Sequence, residues 1–309
     1  MDQIRVVFLG TGAAAPTRDR NVSSLAIALD GDTLVFDCGE GTQHQLLRSS
    51  VRPGSIEAIF ITHLHGDHLF GLPGLLATLG LNGRDRPLRV IGPEGVQRFV
   101  AAIPYRGTPY EIEIVESGGG EVHRANGYRV VAAMLEHSIP CLGYCVIEDD
   151  RPGEFDVARA RALAIPTGPL YRRLQRGDDV TLDDGRVIRS GEVVGPRRAG
   201  RRIVFCTDSR PCETAITLAR DCDLLIHEAT YANDHANEAR ERFHSTAEEA
   251  AKIAAAARAR ALVLTHISAR YDDTSVLRTE AESFFPHVKI ASDFAEVAVP
   301  ARDNSILIV

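Results

Sequence analysis

Five short apolar runs, scattered between Ile59 and His266, each lead to a residue type that ligates metals. Ile59-Phe60-Ile61 runs to His63, Ala133-Met134-Leu135 to His137, and Ile203-Val204-Phe205 to Asp208. Leu224-Leu225-Ile226 runs to His227 or Glu228, and Leu262-Val263-Leu264 to His266. Runs of this length read as buried strands, and ligand sites in sheet proteins gather where strands end and loops begin. A single strand-end histidine is more often a structural hydrogen-bonding group. Five such ends demand a fold that brings many strand termini to one edge. The first run carries the densest signal, because His63-Leu64-His65-Gly66-Asp67-His68 packs three imidazoles and a carboxylate into six positions. If the strand end stays extended, His63 and His65 point the same way, while Asp67 and His68 sit where the chain turns into a helix. Imidazole nitrogen with carboxylate oxygen suits zinc or a similar divalent transition ion, and the lack of a nearby cysteine argues against a closed structural zinc knot. Two metals can be served from one such loop.

Elsewhere the chain alternates strand-like and helix-like stretches. Strands are expected at 4–9, 90–91, 111–115, 128–135, 143–147, 203–206, 223–226 and 262–264, with a hairpin of 25–29 and 33–36 around Asp30-Gly31-Asp32. Helices are expected at 67–80 despite Pro73, and at 94–102, 212–220 and 246–257. The 309 residues suffice for one large α/β domain or two small ones. A net charge of −7 argues against a polyanionic partner, but the charge is segregated. Residues 151–202 hold twelve arginines against seven carboxylates, a local excess of +5. That segment is also rich in glycine and proline and short of apolar runs, which suggests an extension from the domain. The six cysteines form no CxxC pair and read as buried reduced thiols, so a reducing compartment is expected. The apolar stretch 4–9 is too short for a signal segment or a membrane span, and a soluble cytoplasmic protein follows as the expectation. His44, His123, His235 and His287 are expected at the surface or at helix caps, and His227 as a strand-end histidine held by the backbone.

His63-Leu64-His65-Gly66-Asp67-His68 resembles the HxHxDH signature of the metallo-β-lactamase superfamily, whose fold is a four-layer αββα sandwich of two sheets with helices outside. Further stretches narrow the likeness: Phe36-Asp37-Cys38-Gly39-Glu40-Gly41-Thr42-Gln43, Glu136-His137-Ser138-Ile139-Pro140, Asp208-Ser209-Arg210, His227-Glu228-Ala229-Thr230, His244-Ser245-Thr246 and Leu264-Thr265-His266-Ile267-Ser268-Ala269-Arg270-Tyr271. With these the chain is similar to the ribonuclease Z family, zinc-dependent endoribonucleases that remove 3′ trailers from precursor tRNA and leave a 3′-hydroxyl.

The resemblance implies that His63, His65 and His137 hold one metal and Asp67, His68 and His266 the other, with Asp208 bridging. It implies two zinc ions per subunit, with manganese as an alternative. A water shared by the two metals would be the nucleophile, acidified between cations whose charge the bridging carboxylate offsets. Asp67 would also accept that water's proton, and Glu228 with His244 would deliver one to the departing oxygen. Residues 151–202 would form a flexible, protruding basic arm inserted in the single domain of 1–309. On it, Gly168, Pro169, Arg172, Arg173 and Arg176 would grip the body of precursor tRNA. A homodimer is implied, since such an arm clasps substrate held by the other subunit. The loop 13–21 is expected to border the site, with no RNA contact assigned to Ser23 or Ser24. Two alternatives remain open at this point: another hydrolase of the same fold acting on a lactone or small phosphodiester, and a non-catalytic RNA-binding subunit.

Overall fold

The computed structural model of the chain describes residues 3–103, 108–300 and 307–308. In chain order its strands are β1 (Gln3–Gly10), β2 (Ser24–Leu29), β3 (Asp32–Phe36), β4 (Ile56–Phe60), β5 (Leu88–Gly92) and β6 (Ile112–Glu116). There follow β7 (Gly120–Ala125), β8 (Tyr128–Leu135), β9 (Cys141–Glu148), β10 (Val180–Thr181), β11 (Val187–Ile188) and β12 (Arg202–Cys206). The last are β13 (Leu224–Glu228), β14 (Leu262–Thr265), β15 (Val288–Ile290), β16 (Glu296–Pro300) and β17 (Leu307–Ile308). Two compact units result, one of Glu148–Gly200 and one made of the chain before and after it.

In the larger unit, one sheet runs β17-β16-β1-β2-β3-β4-β5-β6 and the other β15-β14-β13-β12-β9-β8-β7. Period-2 alternation along each strand assigns its side chains to two cores. Ile4, Val6 and Phe8 of β1, Leu34 and Phe36 of β3, and Ala58 and Phe60 of β4 meet Leu142, Tyr144 and Val146 of β9 and Ile203 and Phe205 of β12 between the sheets. The intervening residues Val7, Leu9, Val35 and Ile59 face outward onto the helices Thr42–Arg48 and Leu72–Leu81. On the far side Val204, Leu225, Leu262 and Leu264 pack on the helices Ala247–Ala257 and Ser275–Glu282. Four layers, αββα, follow from that alternation. Among the described residues no helix is long and apolar enough to cross a membrane.

Strand direction gathers the site. β3, β4 and β5 run parallel in one sheet, and β12, β13, β14 and β15 run parallel in the other. Parallel neighbours end together, so the loops after them share an edge. The sheets are also tied at that edge: Tyr144 Oη donates to the Ile61 carbonyl at 2.7 Å, and the Leu142 amide to the Thr62 carbonyl at 2.8 Å.

Three expectations need correction. The stretch 67–80 is two helices, Gly66–Leu69 and Leu72–Leu81, rather than one. The break lies at Gly71, whose amide donates to the Cys38 carbonyl and where a Cβ would lie 2.0 Å from the Gly39 carbonyl oxygen; Pro73, lacking an N–H, then suits the first turn of the second helix. The helix expected at 94–102 spans Val96–Ala101, because Gly95 takes φ 102° at its start. His123 is neither at the surface nor at a cap. It is buried on β7 with its ring edge-on to Phe60 and beside Tyr128, and neither nitrogen has a hydrogen-bond partner among the described residues. His44 and His287 are exposed, and His235 is the residue before the helix Ala236–Glu241.

Burial, with Arg89 nearby, pushes the His123 pKa down. Below its ordinary value near 6.5 the unfolded chain then takes up a proton that the folded chain refuses, so stability drops as pH falls through that value. His123→Leu is expected to narrow the loss of melting temperature between about pH 7.5 and 5.5 relative to the parent. An unchanged difference would remove His123 from the acid response.

The unit Glu148–Gly200 has its own small core of Ala160, Ile165, Leu174, Val180, Leu182, Ile188 and Val193. Two helices, Val157–Ala162 and Pro169–Gln175, and the β10–β11 hairpin supply it. Asp156 caps the first by accepting from the Arg159 amide at 2.7 Å. Gly168 opens the second at φ 134°, a backbone state that favours glycine, and Pro169 occupies its first turn.

Candidate metal centre

Seven side chains from separated loops converge at the shared edge. His63 and His65 follow β4, and Asp67 and His68 lie in the short helix Gly66–Leu69 that His65 precedes. His137 follows β8, Asp208 follows β12, and His266 follows β14 in a left-handed conformation of φ 56°. Their donor atoms fall into two sets. His63, His65, His137 and Asp208 lie within 4.8 Å of one another, as do Asp67, His68 and His266. Asp208 stands between them. Its Oδ2 lies 3.6 Å from His63 Nε2, whereas its Oδ1 lies 3.4 Å from His68 Nε2 and 3.2 Å from His266 Nε2. Asp67 Oδ2 faces His68 Nε2 at 3.5 Å and His266 Nε2 at 3.6 Å.

Hydrogen bonds behind the ligands assign their tautomers. His68 Nδ1 donates to Asp37 Oδ2 at 2.7 Å. Thr62 Oγ1 gives its single proton to Asp37, at 2.9 Å from Oδ1, and therefore accepts from His63 Nδ1 at 3.0 Å. Thr230 Oγ1 gives its proton to Glu228 Oε2 at 2.6 Å and so accepts from His266 Nδ1 at 3.0 Å. His137 Nδ1 donates to the Phe243 carbonyl at 3.1 Å. With Nδ1 so occupied, all four rings turn Nε2 inward. His68 and His266 bring theirs within 3.3 Å of each other, and His63 Nε2 lies 3.0 Å from His65 Nδ1. Lone pairs and carboxylate oxygens so close repel unless positive charge sits among them. The donor set therefore fits divalent cations.

The ionisation of the cluster says the same. Burial opposes charge on Asp208, yet His266, His68 and His63 hold its carboxyl well below the usual range. Burial likewise opposes ionisation of Asp67, but hydrogen bonds to His266 and His68 keep it far below the ordinary carboxylate value. On His68, burial is outweighed by Asp208 and Asp37, which push the imidazole well above its usual value, so a proton supplies positive charge at Nε2 wherever a cation does not. His63 moves down instead, through burial and the neighbouring His68.

Beside the cluster, His244 Nδ1 donates to Glu228 Oε1 at 2.9 Å. Burial works against charge on this imidazole, but Glu228 raises it to about 9, while Glu228 itself, opposed by burial and supported by His244, is lowered to about 2. The Ser209 amide donates to the same Glu228 oxygen at 2.7 Å, which fixes the carboxylate. Asp208, His244 and His266 also lie close enough to share an ion. We read His244 otherwise, because its Nδ1 is already committed to Glu228. His227, buried with Nδ1 on the Glu228 carbonyl at 2.8 Å, is held by the backbone.

Sequence reading missed the residues behind the ligands. Asp37, Thr62 and Thr230 touch His68, His63 and His266 respectively, and nothing in their type alone marks them. The usable signal was position: Asp37 directly follows β3 and precedes Gly39, where a Cβ would lie 2.2 Å from the Asp67 carbonyl oxygen. The loop 13–21 does border the site, since the Ala14 amide donates to Asp67 Oδ2 at 2.9 Å. Ser23 and Ser24 are buried against Asp37. Gly168, Pro169, Arg172, Arg173 and Arg176 belong to the Glu148–Gly200 unit, where all five are exposed.

Comparison with known proteins agrees with this geometry. A family model described as a beta-lactamase superfamily domain matches residues 175–267, and one described as the anti-Pycsar protein Apyc1 matches residues 4–99. Ribonuclease Z of Geobacillus kaustophilus is 47% identical over 305 residues, covering 96% of this chain and 99% of its own. Ribonuclease Z of Methanosarcina acetivorans is 44% identical, covering 97% and 99%. Among solved structures, the short form of human tRNase Z superposes with a TM-score of 0.68 at 30% identity, covering 96% of this chain and 99% of that one. Fold and cluster together define a hydrolase of the metallo-β-lactamase fold that uses divalent metal. Within that class, the chain belongs to the ribonuclease Z family.

Proposed function

We propose that this chain is an endoribonuclease that cuts the 3′ trailer from precursor tRNA by hydrolysis. The observation that carries the reading is the split of donors about the two oxygens of Asp208, in a chain similar to ribonuclease Z over nearly its whole length. His63, His65 and His137 would hold one zinc ion and Asp67, His68 and His266 a second, with Asp208 shared; manganese is the alternative metal. When bound, such cations acidify a water and offset charge on the phosphoryl oxygens.

The chain's own residues do the rest. Attack of water on phosphorus forms one P–O bond while the P–O3′ bond breaks. Asp67, fixed by the Ala14 amide and facing His68 and His266, would accept the proton that the water loses. His244 hands a proton to the departing 3′ oxygen: its Nδ1 is held by Glu228, which leaves Nε2 for the transfer. The tRNA keeps a 3′-hydroxyl and the trailer a 5′-phosphate. Arg172 and Arg173 are exposed on the helix Pro169–Gln175 and Arg176 directly after it. The three would contact tRNA phosphates, which makes the Glu148–Gly200 unit a substrate-gripping arm. It is two residues shorter at its end than the expected 151–202, because Arg201 and Arg202 belong to the larger unit.

We also read the chain as a homodimer. Leu47, Phe70 and Leu81 are exposed on or beside the helices Thr42–Arg48 and Leu72–Leu81, which are linked by Thr78 donating to Gln43 at 2.8 Å. Sedimentation at micromolar concentration is expected to give the mass of two chains; a single-chain mass would contradict this. Free thiols at all six cysteines, five of them buried, fit a reducing compartment such as the cytoplasm.

Chelator treatment tests the reading. Cleavage of a trailer-bearing precursor tRNA is expected to stop on metal removal and return with added zinc or manganese. Folded, metal-loaded protein that leaves this RNA intact while turning over small diesters or lactones would overturn it.

A further inference from the structure

Asp208 is followed within two residues by an arginine that holds three segments of the site together. The Arg210 amide donates to the Glu136 carbonyl at 2.8 Å, next to His137. Its guanidinium Nη1 donates to the His244 carbonyl and to Glu249 Oε2 at 2.9 Å, and Nη2 donates to Glu249 Oε1 at 2.5 Å. Glu249 is itself anchored. It accepts from the Thr246 amide at 2.9 Å and its own amide donates to Thr246 Oγ1 at 3.2 Å, the capping box that starts the helix Ala247–Ala257. The next residue after His244 is tied too, since Ser245 Oγ donates to the Ser209 carbonyl at 2.5 Å.

We propose that Arg210 is a positioning residue for the cleavage step, which acts by setting the place of His244 relative to Asp208 and His137. The inference rests on the reading of His244 as proton donor. A planar fork bonding two carboxylate oxygens and a carbonyl at once is geometry that arginine supplies and lysine does not. Arg210 has no ligand atom for a metal, and its guanidinium is spent on Glu249 and the His244 carbonyl. Its loss displaces the proton donor and leaves the donor set of Asp208, His63 and His68 in place.

Two substrates separate this role from a merely structural one. The 3′ oxygen of a ribose needs a proton to depart, whereas an aryl phosphodiester releases a stable phenolate without one. Arg210→Lys is expected to lower kcat on precursor tRNA by about 10- to 100-fold, within what a proton donor contributes, with KM and bound metal little changed. Hydrolysis of bis(p-nitrophenyl) phosphate should stay within about threefold of the parent. Guanidinium ions should partly restore tRNA cleavage to Arg210→Ala. Glu249→Gln keeps the capping box and should show the same selectivity in smaller measure, so a misfolded Arg210 variant does not end the test. His244→Ala is measured alongside. If it is selective for tRNA and the Arg210 and Glu249 variants lower both substrates equally, the inference falls and the reading of His244 stands. If His244→Ala itself lowers both equally, the reading falls and takes the inference with it.

Discussion

Asp208→Ala is expected to abolish cleavage of precursor tRNA, by at least about 10³-fold, because several kcal/mol of charge stabilisation would depend on metals that this residue is proposed to share. The reason lies in its two oxygens, one facing His63 and the other facing His68 and His266. Losing the carboxylate also leaves inward-facing imidazole nitrogens without their negative partner, so both sets of donors should weaken together rather than one alone. Metal analysis of the dialysed variant tests this directly. Retention of two equivalents of metal per chain, with cleavage within tenfold of the parent, would show that Asp208 is not the bridge. Asp208→Asn keeps an oxygen but not the charge, and should fall between the parent and alanine in metal content.

The second large effect is expected from the Glu148–Gly200 unit. Replacing Arg172, Arg173 and Arg176 together with alanine should reduce the slope of log affinity against log salt by about 3, roughly one for each phosphate no longer neutralised. Between 50 and 200 mM salt the parent would then lose about 60-fold more affinity for precursor tRNA than the variant. The three arginines are exposed and outside the small core of Leu174 and Ile165, so the unit should remain folded. Hydrolysis of a small phosphodiester should be unaffected. An unchanged salt slope would mean that these arginines serve solubility alone.

Much of the centre was legible in the chain because its ligands are of types that rarely recur by accident after apolar runs. His63, Asp208 and His266 each follow a strand whose burial the apolar run announces, and parallel pairing then carries those strand ends to one edge. His137 instead follows β8, which is antiparallel to β7 and leaves Met134 exposed. The residues that orient them were silent. Thr62, Thr230 and Asp37 work through hydrogen bonds whose partners lie 1 to 36 positions away, and no periodicity encodes such pairs. The same holds for Arg210, whose role depends on Glu249 39 positions further on. Strand β7 escaped notice because Gly119, Gly120 and His123 interrupt the apolar alternation, and the edge position it takes tolerates that. Residues 151–202 lack long apolar runs for a related reason: a core as small as that of Ala160, Ile165, Leu174, Val180 and Ile188 is assembled from isolated residues.

The central claim is that this centre directs water, not a ribose hydroxyl, onto phosphorus at the 3′ side of a tRNA. The most direct measurement is the chemistry of both new ends after full-length protein has cut a trailer-bearing precursor tRNA in ¹⁸O-labelled water. The expected result is a tRNA ending in a 3′-hydroxyl and a trailer whose 5′-phosphate carries the label. A 2′,3′-cyclic phosphate on the tRNA with a 5′-hydroxyl on the trailer, or label absent from the phosphate, would contradict it.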